Sequence, residues 1–411
     1  MPTARSIQPP RDFSLLREGT VEPAGALRTA GELPLSRNEQ IEGAYVHVPF
    51  CFHKCHYCDF YSLVETRGRE PAFVERLLKE MKAFHQQFDA EVETIFIGGG
   101  TPTLLAVELW LKLLDGIHTF VPLRGGGEFT VEANPETVTR ELADVLVEGG
   151  VNRISIGAQS FNPAHLKTLE RWHDPANVGR SVEVLRGAGV ENINLDLIFG
   201  IPGQTLAEWE SDLEAALLLQ PEHVSAYSLM YEPNTPLTQK LKSGAIQRID
   251  EDLEAAMFER SIDVLCDRGF EHYEISNWAR KGGRCRHNLI YWENRNWWAF
   301  GPSASGHVDG VRWKNVPRLG DYLESDVWPP VTDVERLDED ARVGEELMLR
   351  LRLVEGIPTG ELERMLARGR GERREIIKDH INSGLLELSG RRLRLTRRGL
   401  LLADSVMSSL L

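Results

Sequence analysis

The sequence predicts an α/β protein: a partial (β/α)6 TIM-like barrel, then a smaller α+β region and a C-terminal winged-helix-like module. Three observations carry that expectation. Between residues 44 and 230, six short apolar runs alternate with amphipathic helical stretches, the pattern of a parallel sheet. The runs are apolar nearly throughout, as expected of strands covered on both faces. Glycines and polar residues fall just after each run, at the carboxyl ends of the strands, where α/β proteins bind ligands.

The elements follow in order. YVHVP opens the core as a β-branched strand. Residues 70–88 read as a helix with Phe73, Leu77, Leu78, Met81 and Phe84 on one face. ETIFIGGG is a buried-type strand ending in glycine, and a helix follows over 103–119. EFTVEANP is the third strand, ended by Asn134-Pro135, with a helix over 136–149 closed by Gly149-Gly150. RISIGAQSF, NINLDLIFG and HVSAYSL supply the remaining strands, with helical stretches at 163–170, 175–188 and 205–218. Four regions result: a loose extension over 1–43, the barrel core over 44–230, a linking region over 231–329 and the C-terminal module over 330–411.

The extension carries Pro9, Pro10, Pro23 and Pro34 without periodicity. The C-terminal module reads as a helix over ARVGEELMLRLRL, helices near 360–367 and 371–384, and a hairpin in LLELSGRRLRLT turning at Ser389-Gly390. A closing helix runs from about 398. Arg391, Arg392, Arg394, Arg397 and Arg398 gather on the hairpin and after it, but acidic residues surround them. A structural or docking module is the expected role, not nucleic-acid binding.

The 411 residues carry 47 basic and 62 acidic side chains, a net charge of −15, which argues against nucleic acid as a general partner. No apolar run approaches the length of a membrane span. Five cysteines, three of them in one loop, do not form a secreted disulfide framework, so a reducing, cytoplasmic setting is expected.

That loop is CFHKCHYC, with Cys51, Cys55 and Cys58. Thiolates are the ligands of iron–sulfur clusters, and a closed cubane takes four. Three leave one iron open to a small molecule. The competing reading is a zinc staple, with His53 or His56 as fourth ligand. Cys266, in AAMFERSIDVLCDRGF, reads as a buried small hydrophobe. GGGTPT at 98–103 lacks the Gly-Lys-Ser/Thr of a phosphate loop, but its bare backbone can approach a ligand closely. Glu132, Gln159, Arg171 and Asp196 are polar groups at or near successive strand ends. Each alone is an ordinary structural residue; together they outline a site.

The motifs YVHVPFCFHKCHYCDF, FIGGGTPT, TVEANP, IGAQSF, LERWHDP and NLDLIFGIPGQT resemble the oxygen-independent coproporphyrinogen III oxidase-like branch of the radical S-adenosylmethionine (SAM) superfamily. The resemblance runs from about Tyr45 through the C-terminal module. It implies a [4Fe–4S] cluster on Cys51, Cys55 and Cys58 whose open iron takes SAM, which is cleaved reductively to a radical. It also implies that Tyr45, Gly99, Gly100, Thr101, Glu132, Gln159, Arg171 and Asp196 hold SAM, with Tyr57 beside the cluster.

Two functions divide that branch. The oxidases resemble C-x3-C-x2-C-x-C; here Phe60 stands where the further cysteine would be. The heme chaperones of the HemW type resemble H-N-x-x-Y-W, and HNLIYW at 287–292 matches. Imidazole is a common axial ligand of heme iron. The resemblance therefore implies heme bound through His287, with Trp297, Trp298, Phe300 and His307 as candidate neighbours and Cys285 nearby. It implies delivery of heme to respiratory or cytochrome acceptor proteins. Transient membrane association and a homodimer are compatible with it. Porphyrin biosynthesis, by decarboxylation of coproporphyrinogen III, is the first alternative, and a zinc-stapled interaction protein the second.

Overall fold

The computed structural model describes residues 20–21, 28–64, 68–88 and 90–411. Most of the expected N-terminal extension lies outside the described residues.

Six parallel strands pair in chain order: β1 (Gly43–Val48), β2 (Val92–Gly99), β3 (Leu123–Ala133), β4 (Arg153–Gln159), β5 (Asn192–Phe199) and β6 (His223–Ser228). Their register sets Tyr45 beside Phe96, Glu132 beside Ser155, and Gly157 beside Asp196. Five longer helices return the chain between strands: α1 (Glu70–Phe88), α2 (Val107–Phe120), α3 (Arg140–Glu148), α4 (Ala176–Ala188) and α5 (Leu206–Leu218), with a short helix over Pro163–Thr168 ahead of α4. The stripe expected on α1 is buried through Phe73, Leu77, Met81 and Phe84, with Leu78 packed at its margin. Burying each such side chain is worth about 1.5–3 kcal/mol.

α3 starts four residues later than the sequence suggests. Asn134 Oδ1 accepts the Glu136 backbone N–H at 3.0 Å and holds a turn there, and Thr139 caps the helix by accepting from Leu142 N–H. Beyond β6 come α6 (Glu251–Asp267), β7 (Glu271–Glu274), β8 (Asn277–Ala279) and α7 (Arg286–Trp292). Cys266 is exposed, against the expectation. The buried positions of α6 are Met257, Phe258, Ser261, Val264 and Leu265, so the next residue falls off the core stripe.

A seventh parallel strand, β9 (Trp297–Phe300), was not foreseen. It pairs with β1 on the side away from β2, setting Trp298 beside Ala44 and Ala299 beside Tyr45. Antiparallel strands extend this edge through β10 (Ser305–Val308), β11 (Val311–Asn315) and β12 (Pro330–Arg336); β8 and β7 extend the other beyond β6.

The C-terminal module holds α8 (Glu339–Arg350), β13 (Ile357–Pro358), α9 (Thr359–Arg368), α10 (Glu372–Asn382), β14 (Leu386–Ser389) and β15 (Arg392–Leu395), with β15 between the other two strands. The hairpin turns at Gly390-Arg391, one residue later than expected. Both have positive φ, 57° and 63°, as a two-residue type I′ turn requires. The arginines there are matched by acids: Arg392 by Glu355, Arg394 by Glu387, and Arg397 by Asp263. Those pairs neutralise much of the basic stripe.

Candidate functional site

The parallel strands enclose a cavity of about 620 Å³, inside the usual range for small-molecule sites. All thirteen residues singled out as cofactor or metal ligands line it: Tyr45, Cys51, Cys55, Tyr57, Cys58, Gly99, Gly100, Thr101, Glu132, Gln159, Arg171, Asp196 and His287.

The cysteine loop closes the end formed by the strand carboxyl termini. Cys51 N–H donates to Leu63 O at 3.0 Å, His56 N–H to Leu169 O at 3.1 Å, and Leu237 N–H to His56 O at 3.0 Å. Tyr57 packs on a small apolar cluster that includes Leu169, Ile198 and Leu237. Donors approach the sulfurs: Thr101 Oγ1 lies 3.7 Å from Cys51 Sγ, and Arg171 Nη1 3.7 Å from Cys55 Sγ. Burial pushes the Cys51 thiol up and takes Cys58 up to about 12. Such thiols ionise only when a cation compensates, and three soft ligands facing one cavity fit an iron–sulfur cluster. Among the described residues no three His, Cys, Asp or Glu side chains converge on a single ion. In a cubane each thiolate takes a different iron. His53 stacks on Trp172 at 4.0 Å, near parallel.

The glycine loop lies against this end. Gly100 N–H donates to Val48 O at 2.8 Å and Thr101 N–H to Phe50 O at 2.6 Å. A Cβ on Gly100 would sit 2.5 Å from Phe50 O, so no side chain fits. Gly99, at φ 104°, donates its N–H to Glu132 Oε2 at 3.0 Å. Gln159 ends β4 at φ 63°, a left-handed conformation uncommon for a non-glycine residue. Asp196 accepts from Ser155 Oγ at 2.9 Å and Asn194 Nδ2 at 2.8 Å.

His287 stands at the opposite, deeper end, on α7. Glu128 of β3 accepts the backbone N–H groups of Arg286 and His287 at 2.9 and 3.0 Å, which satisfies donors of the first turn of α7. The His287 ring stacks on Phe96, with centroids 5.3 Å apart. Its Nδ1 lies 2.7 Å from Thr94 Oγ1 and its Nε2 2.7 Å from the Tyr291 hydroxyl. Burial lowers its pKa to about 3, with the Arg153 charge adding to the effect. The imidazole is therefore neutral, the form that binds metal. Tyr291 in turn meets Trp297 edge-on at 4.7 Å.

Not all the expected aromatic neighbours face the cavity. Trp298 and Phe300 are fully buried against Phe84, because β9 turns its alternate side chains into the core behind the sheet. His307 contacts the Trp297 ring at 4.9 Å, and Cys285 is a buried thiol 3.6 Å from Glu128 Oε1.

Four residues that position the site escaped the sequence reading: His47, Thr94, Glu128 and Arg153. His47 Nε2–H donates to Tyr61 O at 2.9 Å, and its Nδ1 lies 3.1 Å from the Tyr45 hydroxyl. Its signal is the period-2 spacing from Tyr45, which places both on one face of β1.

Residues 45–216 match the radical SAM superfamily model and residues 337–402 the HemN C-terminal domain model. "Heme chaperone HemW" of Lactococcus lactis is 37% identical over 372 residues, covering 90% of this chain and 97% of that protein. The protein of the same name from Mycobacterium tuberculosis is 38% identical over 375 residues, covering 90% and 94%. The chain belongs to the HemW family. Its fold is also that of Escherichia coli coproporphyrinogen III oxidase, HemN, a radical SAM enzyme, with a TM-score of 0.78 at 19% identity over 91% of each chain. The curated HemW relatives from Lactococcus and Mycobacterium are thus spanned almost end to end. No helix among the described residues of this HemW-family chain is long and apolar enough to cross a membrane.

Proposed function

We propose that this protein carries heme and passes it to acceptor proteins such as cytochromes, and that it binds a [4Fe–4S] cluster and SAM at the other end of the same lumen. The observation that carries the reading is the setting of His287. A neutral imidazole is held between Phe96 and Tyr291 on a helix pinned from below by Glu128. With Nδ1–H donating to Thr94 Oγ1, the Nε2 lone pair is directed at the Tyr291 hydroxyl. Such a hydrogen bond to the second nitrogen is what orients a histidine ligand. When Tyr291 moves aside, Nε2 is available to heme iron.

Cys51, Cys55 and Cys58 would hold the cluster. The glycine loop, Glu132, Gln159, Arg171 and Asp196 would hold SAM. A cluster with SAM supplies one-electron chemistry. Arg171 and Thr101 would place donors on the thiolate sulfurs, and Tyr57 would shield that face from water.

The coproporphyrinogen oxidase reading is weaker, because Phe60 occupies the position of the oxidases' additional cysteine. Anaerobic purification with iron, sulfide and heme quantified tests both. The expected result is a brown protein that takes up heme in roughly one-to-one ratio through one axial histidine. It should transfer heme to an apo-cytochrome and leave coproporphyrinogen III unchanged when SAM and reductant are supplied. Accumulation of protoporphyrinogen IX over many turnovers refutes the chaperone reading.

A further inference from the structure

Arg153 opens β4 and points into the lumen. With Ser155, Gly157 and Gln159 it forms the inward row of that strand. At about 3.3 Å per residue, it lies roughly 20 Å from Gln159, away from the cysteine loop and toward His287. It is 2% exposed.

The guanidinium has no hydrogen-bond or ion-pair partner among the described residues, and its Nε is buried and unsatisfied. The other lumen arginines are engaged. Arg171 meets Gly157 O and Cys55 Sγ, Arg312 meets Glu345, and Arg352 meets Glu274. The acids nearest Arg153 support its charge through space but make their hydrogen bonds elsewhere. Glu128 is taken by the first turn of α7, and Asp196 by Ser155 and Asn194. A buried guanidinium whose N–H groups have no acceptor is costly, and proteins keep one where something else completes it. A guanidinium is suited to a carboxylate, which it grips through two parallel N–H···O bonds.

We propose that Arg153 is a carboxylate anchor of the lumen, engaging a propionate of the tetrapyrrole held at the His287 end. The assignment rests on the heme-carrying reading above. Position favours a propionate over the aminoacyl carboxylate of SAM, because the residues proposed to hold SAM, Asp196 apart, cluster at the far ends of the strands, and Asp196 makes its hydrogen bonds to Ser155 and Asn194. The charge of Arg153 also acts directly on His287 and Cys285.

The test titrates heme, heme dimethyl ester and SAM into the anaerobically reconstituted full chain, as wild type, Arg153→Gln and Arg153→Lys. Esterification and Arg153→Gln should each weaken heme binding by about 10- to 100-fold, the usual worth of a charged hydrogen bond. The two losses should not add, Arg153→Lys should recover part of the affinity, and SAM binding should not move. Equal affinity for diacid and diester in the wild type overturns the anchor, and this arm needs no variant to fold. A loss confined to SAM overturns the propionate assignment. Wild-type protein that takes up no heme at all refutes the heme reading itself, whereas ester-insensitive heme binding refutes only Arg153.

Discussion

The carboxylate of Glu128 takes the backbone N–H of His287 at 3.0 Å, so a barrel strand directly holds the first turn of the helix that bears HNLIYW. The same carboxylate takes Arg286 N–H. Glu128→Ala should therefore cost about 1–3 kcal/mol by urea unfolding, since it leaves one buried and one partly buried donor unpaired, and should weaken heme binding with it. Glu128→Gln keeps an acceptor and should cost less. A change in Glu128→Ala below roughly 0.5 kcal/mol, the range of a neutral surface substitution, would show that α7 is held elsewhere.

Cys51→Ala, Cys55→Ala or Cys58→Ala should each abolish the cluster, because no other thiol lines that end of the cavity. Cys266→Ala should leave it intact, its side chain being exposed on α6. Iron and acid-labile sulfide analysis decides it; full content in any of the three loop variants contradicts the assignment.

Glu132 accepts Gly99 N–H and faces the cavity beside the glycine loop. Glu132→Ala should keep the brown colour and weaken SAM binding by about 1–3 kcal/mol. Calorimetry showing unchanged affinity rules Glu132 out as a SAM contact.

Tyr291 and His287 separate guarding from ligation. Tyr291→Phe removes the hydroxyl 2.7 Å from Nε2, so heme should associate faster, with equilibrium affinity kept or raised. His287→Ala should abolish the axial band in the heme spectrum while sparing cluster and SAM. If Tyr291→Phe loses heme as fully as His287→Ala, the phenol is itself a ligand and not a guard.

Acid should destabilise the protein through its buried histidines. Burial lowers His47 to about 4 and His287 to about 3, so between pH 6.5 and those values the unfolded chain binds protons that the folded chain refuses. Each residue then removes up to about 1.4 kcal/mol per pH unit as pH falls. Glu80 works the other way. Burial pushes it up to about 7, so its contribution is present below the ordinary glutamate range and fades as pH rises through 7. His56, His173, His223, His272, His307 and His380 are lowered by burial in the same way, and Asp196, Asp212, Glu274 and Glu335 are raised like Glu80; with eight histidines against five acids, net stability should rise from pH 4.5 to 6.5. Urea midpoints that fall over that interval would show the histidines titrating normally.

Much of the barrel was legible because its signals are local. The α1 stripe, the apolar strands and the glycine and cysteine loops sit in contiguous sequence, and strand ends converge wherever a parallel sheet forms. What was not legible is long-range or lies mid-strand. Thr94, Glu128 and Arg153 are polar residues within or opening apolar runs; only pairing with α7, more than a hundred residues on, gives Thr94 and Glu128 a purpose, and Arg153 shows its place only in the folded lumen. The aromatic run NWWAF splits its side chains between lumen and core, and a pattern without its partner strand cannot say which goes where. Cys266 sits one residue beyond a correctly read stripe, and the hairpin turn one residue beyond a correctly read hairpin. At 3.6 and 2 residues per repeat, a one-residue offset changes the face.

β9 lies beside β1, although some 250 residues separate them in the chain. Excising the stretch matched by the superfamily model, residues 45–216, would bare the flank of β1. An uncovered parallel edge is a template for another chain. Minimal fragments of this protein should therefore self-associate, and the smallest piece that stays monodisperse must reach past Phe300. The strand that completes the fold is among the last of the parallel set to be synthesised, so the nascent chain waits with that flank open.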